Sequence, residues 1–230
     1  GDGGVDAAPA PAPAAAASVA PAAPVPPTAP AAASAPDRHR AVLPLNAFTP
    51  FKYDSGPVNY YAVTSDEGTP ILRGVYKPGL VNVTLMAETP EKARRGVKSV
   101  SWRWRPRVYP SNANDCGPGE PDEAAAVFLA FKAGLKLMAL KYSLATVGTV
   151  GTSCQSNRGW FFDRDTTIVQ VGGPLETWTS YSIDPRQEYV KHFGGKLEDV
   201  PEFVGIGVMT DGDNSRTPAE ADYADFVVEW

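Results

Sequence analysis

Histidine is nearly missing from this chain: His39 and His192 are the only two. A Ser-His-acid or Cys-His site needs a base beside its nucleophile. His39 sits in the charged stretch "DRHR", and His192 is expected on a short helix as a partly exposed neighbour of Phe193. A nucleophilic triad is therefore not expected, and a zinc site built from His and Cys is short of ligands. Long apolar runs are missing too; nothing approaches the roughly 18 consecutive apolar residues of a membrane helix. Basic charge is in deficit, with 21 Lys and Arg against 26 Asp and Glu and a net charge of −5. That argues against nucleic acid, which calls for a positive surface. Cysteine is as scarce as histidine. Cys116 in "SNANDCGPG" and Cys154 in "GTSCQSNRG" both lie among turn-forming residues. In an oxidising compartment they are expected to pair and tie two loops together, stabilising the fold by roughly 3–4 kcal/mol in the chain-entropy model.

Alanine and proline, by contrast, dominate one end. Between Ala7 and Pro36 there are 16 alanines and 9 prolines in 30 residues. Such a stretch has little to bury, and proline removes backbone donors and blocks helix propagation. Residues 1–36 are thus expected to be an extended, polyproline-like linker or strap. Residues 37–47 form a transition, and residues 48–230 suit a single domain with its own core. The chain opens at Gly1 without Met, from which export and signal cleavage are expected, placing it in the periplasm or cell envelope; a Cys just upstream would make it a lipoprotein.

From Phe48 onward, short apolar runs are separated by Gly, Pro, Asn and Asp clusters, the spacing of many short strands. In "VSWRWRPRV", Val100, Trp102 and Trp104 share one face, and Ser101, Arg103 and Arg105 the other. In "VGIGVMT", Val204, Ile206 and Val208 face one way and Gly205 and Gly207 the other. In "ADFVVEW", Phe226, Val228 and Trp230 point inward, with Asp225 and Glu229 outside. "AAAVFLAF", "TTIVQV" and "ETWTSYSI" are further strands, whereas "LKLMALKYSLA" fits either a strand or a helix. One helix is well signed: Asp184 as cap, Pro185 at the first helical position, Gln187 completing a capping-box-like pattern, and Gly194–Gly195 as the stop. These elements predict a mainly β protein, an antiparallel β-sandwich of jelly-roll type with one short helix over Pro185–Phe193.

"VSWRWRPRV", then "DEAAAVFLAF", "ALKYSLA", a helix ending "YVKHFGG", and "GIGVMTDGDN" followed by "ADYADFVV" resemble the bacterial family of domains of unknown function numbered 3047. The order and spacing agree from about Phe48 to the C-terminus. The resemblance implies an exported bacterial domain with no established activity, and it supplies no catalytic residues. The Pro/Ala segment and the two cysteines lie outside the shared pattern.

Several groups are candidates for chemistry or recognition. Asp211, Asp213 and Asn214, in "VMTDGDNSRTP", would offer oxygens to calcium or contact a ligand. The competing reading is a turn in which Asx side chains bond nearby backbone and Gly212 takes a positive φ. The stretch is no EF-hand, because Arg216 occupies the glycine position and Asp222 the twelfth. Asp163 and Asp165 form a second acid pair, and paired carboxylates are what a glycosidase requires; acids at strand ends also flank turns or pair with Arg. Trp102 and Trp104 are expected in the core rather than as sugar platforms. Trp160, Phe161 and Phe162 follow a loop and are the better recognition candidates. Arg103, Arg105 and Arg107 form a basic stripe, either a solvated face with cross-strand acids or a dock for an acidic partner. The glycine strip at 205 and 207 is expected to be covered by a ring from within the fold, or by a partner.

The expectation drawn from these residues is a non-catalytic accessory subunit. It would hold protein subunits of a cell-envelope assembly, such as the periplasmic face of a respiratory or photosynthetic membrane complex, with the Pro/Ala segment as strap. A carbohydrate-binding module is the first alternative, and a carbohydrate-active hydrolase or lyase using Asp163 or Asp211 the second. No cofactor is expected beyond a structural calcium.

Overall fold

The computed structural model describes residues 39–51, 58–157 and 159–230. The chain separates into two units, residues 1–37 and 38–230, and every described residue belongs to the second. The expected Pro/Ala strap lies outside the described residues.

In chain order the strands are β1 (Arg40–Val42), β2 (Thr49–Pro50), β3 (Tyr61–Asp66), β4 (Thr69–Tyr76), β5 (Thr84–Glu88), β6 (Ser99–Val108) and β7 (Glu123–Ala133). They continue with β8 (Lys136–Ala145), β9 (Ser153–Asn157), β10 (Phe162–Val171), β11 (Thr179–Ile183), then helix α1 (Pro185–Phe193), β12 (Glu202–Asp211) and β13 (Ala219–Glu229). Among the described residues these strands make two sheets. One runs β11-β6-β13-β4-β3 with β1 also on β13; the other runs β2-β5-β12-β7-β8-β10-β9. The protein is an antiparallel-rich β-sandwich of jelly-roll type. The exception is β10, which lies parallel to β8. After β8 the chain skips one slot to lay down β9, and β10 returns to fill the gap, antiparallel to β9.

The alternation read in the sequence places the core between the sheets. Val100, Trp102 and Trp104 are wholly buried, as are Phe226 and Val228. The two indoles meet edge to face at 5.5 Å, and Tyr181 stacks on Trp102. The stretch "LKLMALKYSLA" is strand β8: Met138, Leu140, Tyr142 and Leu144 join the core, and the alternate residues face away from it. Helix α1 has the expected bounds, with the Asp184 carboxylate accepting from the N–H groups of Arg186 and Gln187. In β12 the expected inner position of Val204 is corrected. A bulge between Phe203 and Gly205 buries Phe203 completely and leaves Val204 half-buried.

Candidate functional site

The face of the seven-stranded sheet turned away from the core is not a polar, solvated surface. Ala126, Phe128, Ala139 and Met209 form a second apolar cluster there, with Phe162 packed against it. Around this cluster lies a groove lined by Met86 and Thr84 of β5, Ala130 of β7, Leu137 of β8 and Arg164 of β10, with Phe51 and Asn82 also lining it. The glycine strip of β12 belongs to this face and is filled from within the fold. A Cβ on Gly205 would lie 3.0 Å from the Met86 sulfur, and one on Gly207 would lie 3.3 Å from Phe128.

Beyond Met209 the same face ends in acids. Asp122, Asp211 and Asp213 bring carboxylate oxygens within 4.8 Å of one another. Two tyrosines hold the strand end in place: Tyr60 donates to the Thr210 carbonyl at 2.8 Å, and the Thr210 N–H donates to the Tyr61 hydroxyl at 2.9 Å. The turn after β12 is closed by hydrogen bonds to Asp211 and to Asp122, which precedes β7. The Asp213 N–H donates to Asp211, and the N–H groups of Asn214 and Ser215 donate to the two oxygens of Asp122. Asn214 directs its amide nitrogen at the Pro121 carbonyl, 3.2 Å away, and so acts here as a donor. The positive φ expected at Gly212 falls instead on Arg216, at 58°. Gly212 is needed for a different reason: a Cβ there would sit 2.1 Å from the Thr217 carbonyl oxygen. Burial pushes the Asp211 carboxyl up to about 7, with the charges of Asp213 and Asp122 adding to the shift.

A third group lies beside these acids and has no single short motif behind it. A register shift between β12 and β7 sets Glu123 opposite Asp211. The Lys141 ammonium stands 3.1 Å from Glu123 and 3.1 Å from Asp115, and the side chains of all three are almost fully shut from solvent. Ser143 donates to Asp115 at 2.8 Å. Burial and the charge of Asp115 raise the Glu123 carboxyl well above the usual range, against the pull of Lys141. Burial alone would raise Asp115 too, but the charge of Lys141 and the hydrogen bond from Ser143 hold it below its ordinary value. The disulfide Cys116–Cys154 anchors this arrangement, since Cys116 follows Asp115 in sequence and Cys154 contacts the Asp115 carbonyl.

The other sequence candidates fall elsewhere. Arg103, Arg105 and Arg107 lie on the outer face of the six-stranded sheet, each against acids. Arg103 meets Asp225, Arg105 meets Asp222 and Asp66, and Arg107 meets Glu176 and Glu220. Trp178 lies under the first two guanidinium groups. Asp163 pairs with Lys136 and accepts from Asn157. Asp165 meets the Nδ1 atom of His192 at 2.9 Å. His192 is partly exposed, as expected, although its ring is largely enclosed, and its Nε2 atom faces the Glu188 carboxylate at 3.6 Å. Phe162 lines the groove, whereas Trp160 and Phe161 project beyond its end, 73% and 47% exposed.

Asp115, Asp122, Glu123 and Lys141 were not singled out from the sequence. One signal was there: a lysine inside the apolar run "LMALKYSLA", at an alternate position that must face away from the core yet sits among apolar neighbours. Which acids would meet it is a matter of β-sheet register across distant segments.

Fold and site together define an antiparallel-rich β-sandwich with a grooved outer sheet face that ends in buried acids. The chain belongs to the family described as Protein of unknown function (DUF3047), whose profile matches residues 50–227. Among curated proteins, none matches the chain in sequence. Among solved structures, the chain is similar to a family 11 carbohydrate-binding module from Clostridium thermocellum in complex with a β-1,3-1,4-mixed-linked tetrasaccharide. The identity is 8% and the TM-score 0.42, covering 83% of this chain and 95% of that one. It is also similar to the xyloglucanase domain of NopAA, a type three effector from Sinorhizobium fredii, in complex with cellobiose, at 9% identity and TM-score 0.42, covering 82% and 96%. A third likeness is to the endo-1,4-β-glucanase CelB2, at 8% identity and TM-score 0.39, covering 83% and 98%.

Proposed function

We propose that this is an exported, non-catalytic binding protein whose ligand is a glycan chain lying in the groove of the seven-stranded sheet. The supporting observation is the composition of that groove. Phe128, Met209 and Phe162 give it an apolar floor, and Asn82, Thr84 and Arg164 surround the floor with hydrogen-bonding groups. A sugar ring has the same division, an apolar C–H face and a polar hydroxyl edge, and sites of this mixed kind fix both affinity and orientation. Asp122 and Asp211 accept backbone N–H bonds, and Asp115, Glu123 and Asp163 meet lysines, which supports binding without turnover. The disulfide supports an oxidising compartment, either periplasm or cell envelope.

Calorimetric titration with soluble envelope and plant cell-wall oligosaccharides tests the reading. Binding is expected for the native protein and should be lost in Phe162→Ala and Arg164→Ala variants that melt as the native protein does. Native protein that binds none of these glycans would remove the proposal. If glycans are instead cleaved, and cleavage stops in Asp211→Asn or Asp163→Asn, the protein is an enzyme.

A second reading is supported by the Pro/Ala segment. A sequence this rich in proline has few backbone conformations to lose on binding, so residues 1–36 would serve as a strap holding the sandwich on subunits of an envelope or membrane complex. Deleting residues 1–36 should then weaken co-purification from native membranes without changing the melting temperature of the domain. Equal co-purification of the truncated protein would defeat this reading.

A further inference from the structure

The two most exposed large apolar side chains of the described residues share one end of the seven-stranded sheet. Leu135 is 82% exposed at the tip of the β7–β8 hairpin, and Trp160 is 73% exposed in the loop between β9 and β10, followed by Phe161 at 47%. The loops are neighbours, because β8 and β10 run parallel with Phe162 opposite Leu137, and the Leu137 N–H donates to the Phe161 carbonyl at 2.8 Å. Leu135 stands two residues before Leu137 and Trp160 two before Phe162, so the two tips leave the sheet at the same end. Each tip turns on a glycine in the left-handed region, Gly134 at φ 63° and Gly159 at φ 82°. The Phe161 ring lies over Gly159 and meets the Trp160 indole edge to face at 5.7 Å.

Lysines flank this tip. Lys132 and Lys136 belong to the same hairpin, and the acids beside them already have cationic partners: Asp163 is held by Lys136, and Glu202 by Arg95 at 2.8 Å. The end of the sheet therefore offers an aliphatic and two aromatic side chains in a collar of compensated or positive charge, on a protein whose overall charge is negative.

We propose that the Leu135–Trp160–Phe161 tip docks the protein on a lipid bilayer surface, the three side chains entering the interface and the lysine stems reaching back to the head groups. Trp and Tyr favour that boundary because one part of the ring is apolar and another makes polar contacts. Lysine can bury its methylenes there while its ammonium stays wet. The two rings stand perpendicular and so form no coplanar stacking platform, and the neighbouring loop adds an exposed leucine, which gives a sugar ring nothing to stack on. The contact is peripheral and reversible, of the strength that a few interfacial side chains supply.

The test is flotation of the intact protein with vesicles of phosphatidylcholine, and of phosphatidylcholine doped with phosphatidylglycerol. Native protein is expected to float with the vesicles, and brominated phosphatidylcholine should quench its tryptophan fluorescence. Trp160→Ser and Leu135→Ser should each lower partitioning by about tenfold, the effect of removing one buried apolar side chain. Trp160→Phe should keep binding and lose most of the quenching. Because these side chains are exposed, the variants should melt with the native protein, and glycan binding in the groove should be unchanged by them. Failure of native protein to float, or flotation unaffected by Trp160→Ser combined with Leu135→Ser, overturns the proposal. So does a result in which these variants abolish glycan binding while native protein ignores vesicles.

Discussion

The Asp115 carboxylate lies 3.1 Å from the Lys141 ammonium, and both side chains are almost wholly buried beside Glu123. Three ionisable groups in one dry place are costly unless each is compensated. Here the Lys141 ammonium faces both acids and the Ser143 hydroxyl donates to Asp115. The cluster joins β7, β8 and the loop that carries the disulfide, so it fixes the end of the grooved sheet face.

Lys141→Met should therefore destabilise the fold by about 3–5 kcal/mol, because it leaves two buried acids without a counter-charge. Adding Asp115→Asn and Glu123→Gln to that variant should restore much of the loss, since no charge then remains to be balanced. Urea denaturation of the single and triple variants measures this. A single variant as stable as the native protein would mean that the cluster does not carry this charge arrangement.

The disulfide closes a sequence separation of 38 residues. In the chain-entropy model, removing it costs about 4 kcal/mol. Thermal melts of native protein with and without reductant, and of Cys116→Ser with Cys154→Ser, should agree in showing that loss. The double variant should not respond to reductant.

Asp211 should make stability fall as the pH rises. A carboxyl whose pKa is higher in the folded state than the ordinary 3.8 holds its proton more tightly when folded. Its contribution is fully present below 3.8, declines as pH climbs, and levels off above about 7, the value to which burial raises this group. Asp211→Asn keeps the acceptor for the Asp213 N–H and removes the titration. The stability difference between native protein and this variant, followed by denaturation across that window, should slope downward. A level difference would show that Asp211 titrates as an ordinary carboxylate.

The turn after β12 should be intolerant of even one added methyl group. Gly212→Ala places a carbon against the Thr217 carbonyl and should cost roughly 2–3 kcal/mol. Calcium should leave the melting temperature unchanged, because oxygens of Asp122 and Asp211 already accept backbone N–H bonds. Melts in calcium and in chelator check this; a rise with calcium that disappears in Asp213→Asn would show that Asp122, Asp211 and Asp213 hold the ion.

Much of the architecture was legible in the sequence because it is encoded locally. The period-two pattern of Val100, Trp102 and Trp104 named a strand and its buried face, and the Asp184, Pro185 and Gly194 signals bounded the helix. The pairing of Cys116 with Cys154 needed only the cysteine count and the turn residues around each. Elsewhere local pattern was insufficient. "LKLMALKYSLA" satisfied two periods at once, and only pairing with β7 and β10 resolved it as a strand. The glycine at 212 looked like a place for positive φ, yet it is required by a close backbone approach from five residues further on.

By itself, then, the chain determined which residues prefer extended backbone, which face most strands bury, where the helix begins and ends, and the scarcity of histidine. Those follow from side-chain size, polarity and capping chemistry within a few residues. Only tertiary structure decided that Asp115, Glu123 and Lys141 meet, that β10 lies parallel to β8, and that the loops carrying Leu135 and Trp160 leave the same end of one sheet. Such meetings depend on strand order and register between segments far apart in sequence, and a register shift of a single residue would have sent each of those side chains to other neighbours.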